Sequence, residues 1–354
     1  MKELNEYIVK DTSNIRTAIK TMDRGGIGFI VVVDKDEKVI GIVTDGDFRR
    51  AILSEVHLKE NILLITNKDY KYLRKGYSQN EALDYFKGNI VEFLPVLENG
   101  KLVEIISKDD LYNQFDIELQ KKQNLDLPVV IMAGGKGNRL DPFTRILPKA
   151  LIPINEKPII EVIMDEYAKY GINFFYISVN YKEKMIKAYF EDNSSGFHIE
   201  YINESKPLGT AGALRYLIGK INTSFFASNC DVIIKDDYSK IVKFHQEGKF
   251  DLTLVGSMQH QTIPYGICTF ENGGLLKRIE EKPEHDFLVN TGMYLLNPAV
   301  LNYIPNNKYF DMTDLITLIQ KNGHKVGVYP VSEKSWLDIG QWEEYNSTVR
   351  KLAK

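Results

Sequence analysis

Residues 129–158 read VVIMAGGKGNRLDPFTRILPKALIPINEKP, and the fold is decided there. An unbroken apolar run, Val129 to Ala133, meets Gly134, Gly135, Lys136, Gly137, Asn138 and Arg139 without a spacer. A short apolar run without polar alternation is the pattern of a strand covered on both faces. Glycines lack a Cβ, so the turn that follows can aim backbone N–H groups at phosphate oxygens. Outward from this stretch, apolar strands alternate with helical patterns. FFYISVN (174–180), FFASNCDV (225–232) and DLTLVGS (251–257) are the strands. PIIEVIMDEYAKYG (158–171), KEKMIKAYFED (182–192), TAGALRYLIGK (210–220) and YSKIVKFHQEG (238–248) are the helices. Such alternation predicts an α/β domain: a doubly wound, mostly parallel, Rossmann-like sheet with helices on both faces. Ligands of these sheets bind outside the carboxyl ends of the strands, which is where the glycine turn falls.

The turn is basic as well as flexible. Lys136 and Arg139 carry charge into it, and a guanidinium can grip phosphate with two hydrogen bonds at once. Lys149 follows between Pro148 and Pro153, whose rings restrict the backbone around it. A dinucleotide-binding fingerprint would place a third glycine where Leu140 stands, and a P-loop would read GxxxxGK[ST], which is absent. A tight turn with incidental surface charges does not account for the glycines, Arg139, the prolines and Lys149 together.

The bulk composition narrows the class of partner. The 354 residues allow two or three domains, and a net charge of −3 gives no reason to expect nucleic acid or an anionic membrane. The N-terminus, MKELNEYIVKD, lacks the apolar run of a signal peptide, and no stretch approaches the ~20 apolar residues of a membrane span. Two cysteines, Cys230 and Cys268, and six scattered histidines encode neither a disulfide framework nor a zinc site. A cytoplasmic protein is the expectation.

The first 122 residues have a different character and contain a weak repeat. VVVDKDEKVIGIVTDGDFRRAIL (31–53) and FLPVLENGKLVEIISKDDLY (93–112) each place two short apolar strands before a polar helix entry. Thr44 and Asp47 of the first copy align, at one offset, with Ser107 and Asp110 of the second. Ahead of the first copy, Ile15, Ala18, Ile19 and Met22 share a helix face that Thr12 or Ser13 would cap and Gly25-Gly26 would end. On GIVTDGDFRR and EIISKDDLY this half resembles a pair of CBS domains, an α+β Bateman module. The resemblance implies a regulatory nucleotide contacted by Thr44, Asp47, Ser107 and Asp110, and association of the chain as a homodimer. Glu104 replaces the expected glycine in the second copy, and the bare alternative is that Thr44 and Ser107 only cap helices. A polar linker, NQFDIELQKKQNLDL (113–127), separates this module from a second domain spanning 127–354.

From Gly134 to Pro153 the chain resembles the sugar-1-phosphate nucleotidyltransferases, whose loop reads roughly GGxGxRLxPxTxxxPKxLxP, with Asn138 where threonine is usual. The resemblance runs to the end of the chain and assigns roles. Met132, Ala133, Gly134, Gly135, Lys136 and Gly137 would line the nucleotide. Gly209 and Thr210, in NESKPLGTAGALRYL (203–217), would lie against the base. Asp231 and Asp338 would hold one Mg²⁺, which two carboxylates, phosphate oxygens and water can satisfy. Arg139, Lys149 and Lys282 would neutralise phosphates, with Asp231 as the fourth catalytic position. Gly266, Glu281, Asn290 and Thr291 would face the sugar. Glu204 stands where the family often reads the base edge. A carboxylate only accepts hydrogen bonds, and guanine offers two adjacent donors, so Glu204 tilts the choice toward GTP. FDMTDLI, with Asp311 and Asp314, reads as a helix N-terminus without chemistry.

The catalytic half looks most like mannose-1-phosphate guanylyltransferases. The whole arrangement resembles the glucosamine-1-phosphate guanylyltransferases of bacterial legionaminic acid synthesis, and also guanylyltransferases acting on heptose phosphates. GTP and a sugar 1-phosphate are the expected partners; UTP, CTP or dTTP, or an inactive regulatory subunit, are the alternatives.

Overall fold

The computed structural model describes residues 4–88, 92–108, 111, 124–192, 196–340, 345 and 348. The chain divides into two compact units, Met1–Gln120 and Lys121–Lys354.

The first unit is built twice on one plan. Strands Ile8–Lys10, Phe29–Val33 and Val39–Thr44 form one three-stranded sheet, and Leu73–Arg74, Phe93–Glu98 and Lys101–Ser107 form another. Each sheet has a parallel edge strand beside an antiparallel hairpin. Even the register irregularity recurs, between Val32 and Val33 and between Val96 and Leu97. The copies share a core in which Phe29 meets Phe93 at 5.8 Å, with Val31 and Ile105 fully buried. Helix Ile15–Gly25 buries Ile15, Ala18, Ile19 and Met22 and ends at Gly26, whose φ of 81° suits glycine. Its cap is Asn14, not Thr12 or Ser13: the Asn14 carboxamide oxygen accepts from Thr17 N at 2.8 Å.

Thr44 and Asp47 are committed to each other. The Asp47 carboxylate accepts from Thr44 N at 2.8 Å and Thr44 Oγ1 at 2.7 Å, closing a capping box on helix Asp45–Leu53, and it pairs with Arg50. Ser107 is buried at the end of its strand, and Asp110 lies outside the described residues. Gly41 is needed because a Cβ there would stand 2.7 Å from Asn67 O, and Asn67 bridges to Ile42. Glu104, opposite Val96, holds the register position that Gly41 holds opposite Val32.

The second unit carries a seven-stranded sheet. Its order is His198–Asn203, Phe174–Val179, Val129–Met132, Phe225–Asn229, Glu284–Leu296, Leu252–Thr262 and Val326–Val331. Only Glu284–Leu296 runs against the others, so the sheet is mostly parallel as expected. Val129 and Ile131 face one core with helices Ile159–Ala168 and Tyr238–Gly248, whereas Val130 faces a second core with helix Met312–Lys321. This two-sided burial is why the strand has no polar alternation. TAGALRYLIGK departs from its helical reading. Gly209–Gly212 makes one α turn and Ala213–Leu217 continues as 3₁₀ helix, because the N–H groups of Ala211 and Gly212 are drawn to Phe310 O. Among the described residues, no helix is long and apolar enough to cross a membrane.

Candidate active site

The carboxyl ends of Val129–Met132 and its neighbour Phe225–Asn229 deliver the Ala133–Arg139 turn and the Cys230–Asp231 corner side by side, with Met132 opposite Asn229. Buried Ala133 donates its N–H to Ser178 O at 3.0 Å, which fixes where the turn leaves the sheet. Gly135, Lys136 and Arg139 are exposed. Gly137 has φ 70°, and a Cβ there would lie 3.0 Å from both Lys149 Cβ and Thr144 Cγ2. The turn thus closes over Lys149 only because its residue at that point is glycine.

Lys149 opens the 3₁₀ turn Lys149–Leu151 directly after Pro148 and forms an ion pair with Asp231; the two side chains are 15% and 16% exposed. Asp338 arrives from the short strand Trp336–Asp338, which pairs antiparallel with Val232–Ile234 and sets Asp338 opposite Val232. Asp338 Oδ1 and Asp231 Oδ2 converge on Gly340, 2.9 Å and 3.2 Å from where a Cβ would stand. Ile339 N donates to Asp231 O at 2.9 Å and Gly340 N to Asp338 Oδ1 at 2.7 Å, so backbone holds the pair in place. Two such carboxylates suit a divalent cation that takes its other ligands from phosphate and water, and the bare Gly340 leaves room between them. No group of three or more His, Cys, Asp or Glu that could hold a metal occurs among the described residues. The Cys230 thiol beside them is buried, and that burial, with the Asp231 carboxylate second, pushes it up to about 12. Burial thus disfavours its thiolate.

Glu204 is only 7% exposed and lies against Gly134, where a Cβ would stand 2.5 Å from its Oε1. Its Oε2 accepts from Leu208 N at 3.0 Å. Burial raises its carboxyl above the usual range, opposed by the hydrogen bonds from Leu208 and Ser178. Gly209, at φ 80°, abuts Phe310 O and Asp311. Thr210 donates its backbone N–H and its hydroxyl to Asp311 Oδ1, and the hydroxyl accepts from Met312 N at 2.8 Å. Asp314 accepts from Asp311 N, completing a capping box at the start of helix Met312–Lys321.

On the expected sugar side, Glu281 Oε2 stands 2.9 Å from the position of a Gly266 Cβ, so those two come together across the loop joining the longest strands. Lys282 is exposed, with φ 45°. The Asn290 amide donates to Tyr294 OH at 2.7 Å. Thr291 is 3% exposed, and its hydroxyl donates to Val255 O at 2.8 Å, so it shapes the wall from behind. Asn229, which the sequence reading did not single out, packs against Gly292: its Nδ2 lies 2.4 Å from where a Gly292 Cβ would be, with φ 89° at Gly292.

The nucleotidyl transferase family model matches residues 128–354, and the CBS domain model matches 2–54 and 61–116. The chain belongs to the nucleotidyl transferase family and carries a CBS pair ahead of that domain. It is 30% identical over 246 residues to a UTP–glucose-1-phosphate uridylyltransferase of Synechocystis sp., covering 63% of each chain. It is 29% identical over 227 residues to a mannose-1-phosphate guanylyltransferase catalytic subunit beta of Xenopus tropicalis, covering 62% of each. The chain therefore spans under two thirds of the length of these relatives. Identity to a D-glycero-alpha-D-manno-heptose 1-phosphate guanylyltransferase of Campylobacter jejuni is 30% over 221 residues, 62% of this chain and 97% of the relative. Among solved structures, HddC from Yersinia pseudotuberculosis complexed with GMP-PN aligns with TM-score 0.51 and 26% identity over 64% of this chain and 99% of that one.

Proposed function

We propose that this chain transfers GMP from GTP to a sugar 1-phosphate, releasing pyrophosphate and forming a GDP-sugar, with glucosamine 1-phosphate as the first acceptor to test. The observation that carries this reading is the ion pair of Lys149 with Asp231, beside Asp338 and under the Gly137 turn. The guanylyltransferases among the relatives, and the GMP-PN bound by HddC, support guanine; the uridylyltransferase keeps UTP as the competing donor.

The chemistry is an in-line attack. An oxygen of the sugar phosphate bonds to the α-phosphorus, and the bond from that phosphorus to the bridging oxygen of pyrophosphate breaks. Two anions must meet, so positioning and charge neutralisation dominate. The glycine turn and Arg139 hold the leaving pyrophosphate. Lys149 lies next to the carboxylate pair and moves from Asp231 to the incoming phosphate; Lys282 steadies that phosphate from the opposite loop. Glu281 and Asn290 orient the sugar. Mg²⁺ held by Asp231 and Asp338 would neutralise charge on the phosphates. No covalent enzyme intermediate is required, in keeping with the suppressed acidity of Cys230.

The CBS unit is proposed to join two copies of the chain. A regulatory nucleotide at Thr44 and Asp47 would bind beside the capping box that these two residues form. The test of the activity is pyrophosphate release over a grid of four nucleoside triphosphates and several hexose, hexosamine and heptose 1-phosphates with Mg²⁺. Release with GTP alone supports the reading and identifies the acceptor. Release with another triphosphate keeps the reaction and removes the base assignment; no release with any pair overturns the activity.

A further inference from the structure

We propose that Asn180, Tyr181 and Lys182 form a clamp that positions the phosphate turn and Lys149 without touching substrate. The inference rests on the nucleotidyl transfer proposed above for that site. The three residues leave the carboxyl end of Phe174–Val179, the strand beside Val129–Met132. From there they reach three separate site segments. Tyr181 N donates to Gly134 O at 3.4 Å, at the beginning of the turn. Tyr181 OH donates to Thr144 O at 3.1 Å, and the Lys182 ammonium donates to the carbonyls of Thr144 and Arg145. Asn180 Nδ2 donates to Glu204 O at 2.6 Å.

The targets explain the purpose. Thr144 and Arg145 belong to the short helix Phe143–Ile146, whose last carbonyls have no partners within the helix. A cation at that end satisfies them and suits the negative pole. Lys149 emerges three residues later, and the Thr144 methyl and Lys149 both stand 3.0 Å from where a Cβ on Gly137 would be. Fixing the Thr144 and Arg145 carbonyls therefore fixes where Lys149 stands relative to the turn. Lys182 has φ 53°, a backbone conformation that residues with side chains rarely adopt. The chain accepts that conformation at the point where it must bend toward these carbonyls before entering helix Glu183–Asp192. The ammonium also lies 5.2 Å from the Tyr181 ring centroid, so the two long side chains brace one another.

The test compares the full-length parent with Lys182→Met, Lys182→Arg and Tyr181→Phe. Steady-state constants are measured for the triphosphate and the sugar phosphate separately, and amide hydrogen exchange is followed over 137–147. Lys182→Met is expected to raise KM for the triphosphate about tenfold to a hundredfold through the turn, raise KM for the sugar phosphate by a smaller factor through Lys149, and speed exchange in 137–147. Lys182→Arg is expected to restore most of the loss, and Tyr181→Phe to show the same pattern more weakly. Unchanged exchange in 137–147 would overturn the clamp, as would equal rises in both KM values together with a lower melting temperature. If the parent shows no transfer with any donor, the proposed activity fails, and the exchange measurement alone decides the clamp.

Discussion

Lys149 and Asp231 stand 82 residues apart in sequence and form an ion pair, with side chains 15% and 16% exposed. A lysine and an aspartate this buried each need the other, since an unpaired charge there is costly. Lys149→Ala is expected to lower kcat by about 10²–10³, by analogy with loss of one preorganised donor, while far-UV circular dichroism stays that of the parent. Lys149→Met with Asp231→Asn is expected to recover stability without activity. A Lys149→Ala enzyme that turns over near the parental rate would remove Lys149 from the mechanism.

Glu204 links acidity to stability. Burial raises its carboxyl in the folded protein above the ordinary value of 4.5, so the unfolded chain loses this proton at lower pH than the fold does. The stabilisation from the protonated form is complete below about 4.5 and is lost as pH rises through the folded value. Glu204→Gln, which keeps an acceptor for Leu208 N, should melt higher than the parent at pH 7, with the gap closing toward pH 4. The same variant should narrow the preference for GTP over UTP. A constant melting gap across pH would show that Glu204 is not held in this way.

His245 carries the opposite dependence. It is 2% exposed, with Nδ1 2.8 Å from Thr253 Oγ1 and Nε2 3.1 Å from Asn297 Oδ1, and burial lowers its pKa from the ordinary 6.5. The unfolded chain therefore takes up the proton first as pH falls. Its contribution is intact above about 6.5 and is lost as pH falls through the lowered folded value. Urea unfolding between pH 7.5 and pH 5 should lose stability, and the slope should be shallower in His245→Gln. An unchanged slope would assign the acid sensitivity to other groups.

Two glycines of one turn should respond differently to alanine. Gly137→Ala combines a positive φ with a Cβ 3.0 Å from Lys149 and Thr144, so about 1–2 kcal/mol of destabilisation is expected, seen as a lower melting temperature. Gly135→Ala meets nothing within 4 Å and should melt with the parent. Equal melting temperatures for both variants would contradict the packing of the turn over Lys149.

Much of this was legible because it is local. The run Val129–Ala133 before three glycines specifies a doubly covered strand and a tight turn after it, whatever lies elsewhere. The Thr44/Ser107 repeat likewise announced two copies of one small unit, and Asp311 with Asp314 announced a helix start. The long antiparallel strand Glu284–Leu296 was not read, since EHDFLVNTGMYLL carries Gly292 and mixes polar with apolar residues along its outer half. Nor did TAGALRYLIGK betray that Phe310, about a hundred residues on, would take its amide hydrogens.

Sequence by itself determined the elements whose hydrogen bonds and buried faces depend on neighbours in the chain: strands, turn and repeat. The tertiary structure decided which of them act together. Strand order places Asp231 beside the turn and Asp338 opposite Val232. It spends Thr210 on Asp311, Thr291 on Val255 and Thr44 on Asp47. Those choices belong to the fold because a hydroxyl or carboxylate in the interior must find a partner, and which partner is within reach depends on how the sheet brings distant segments together.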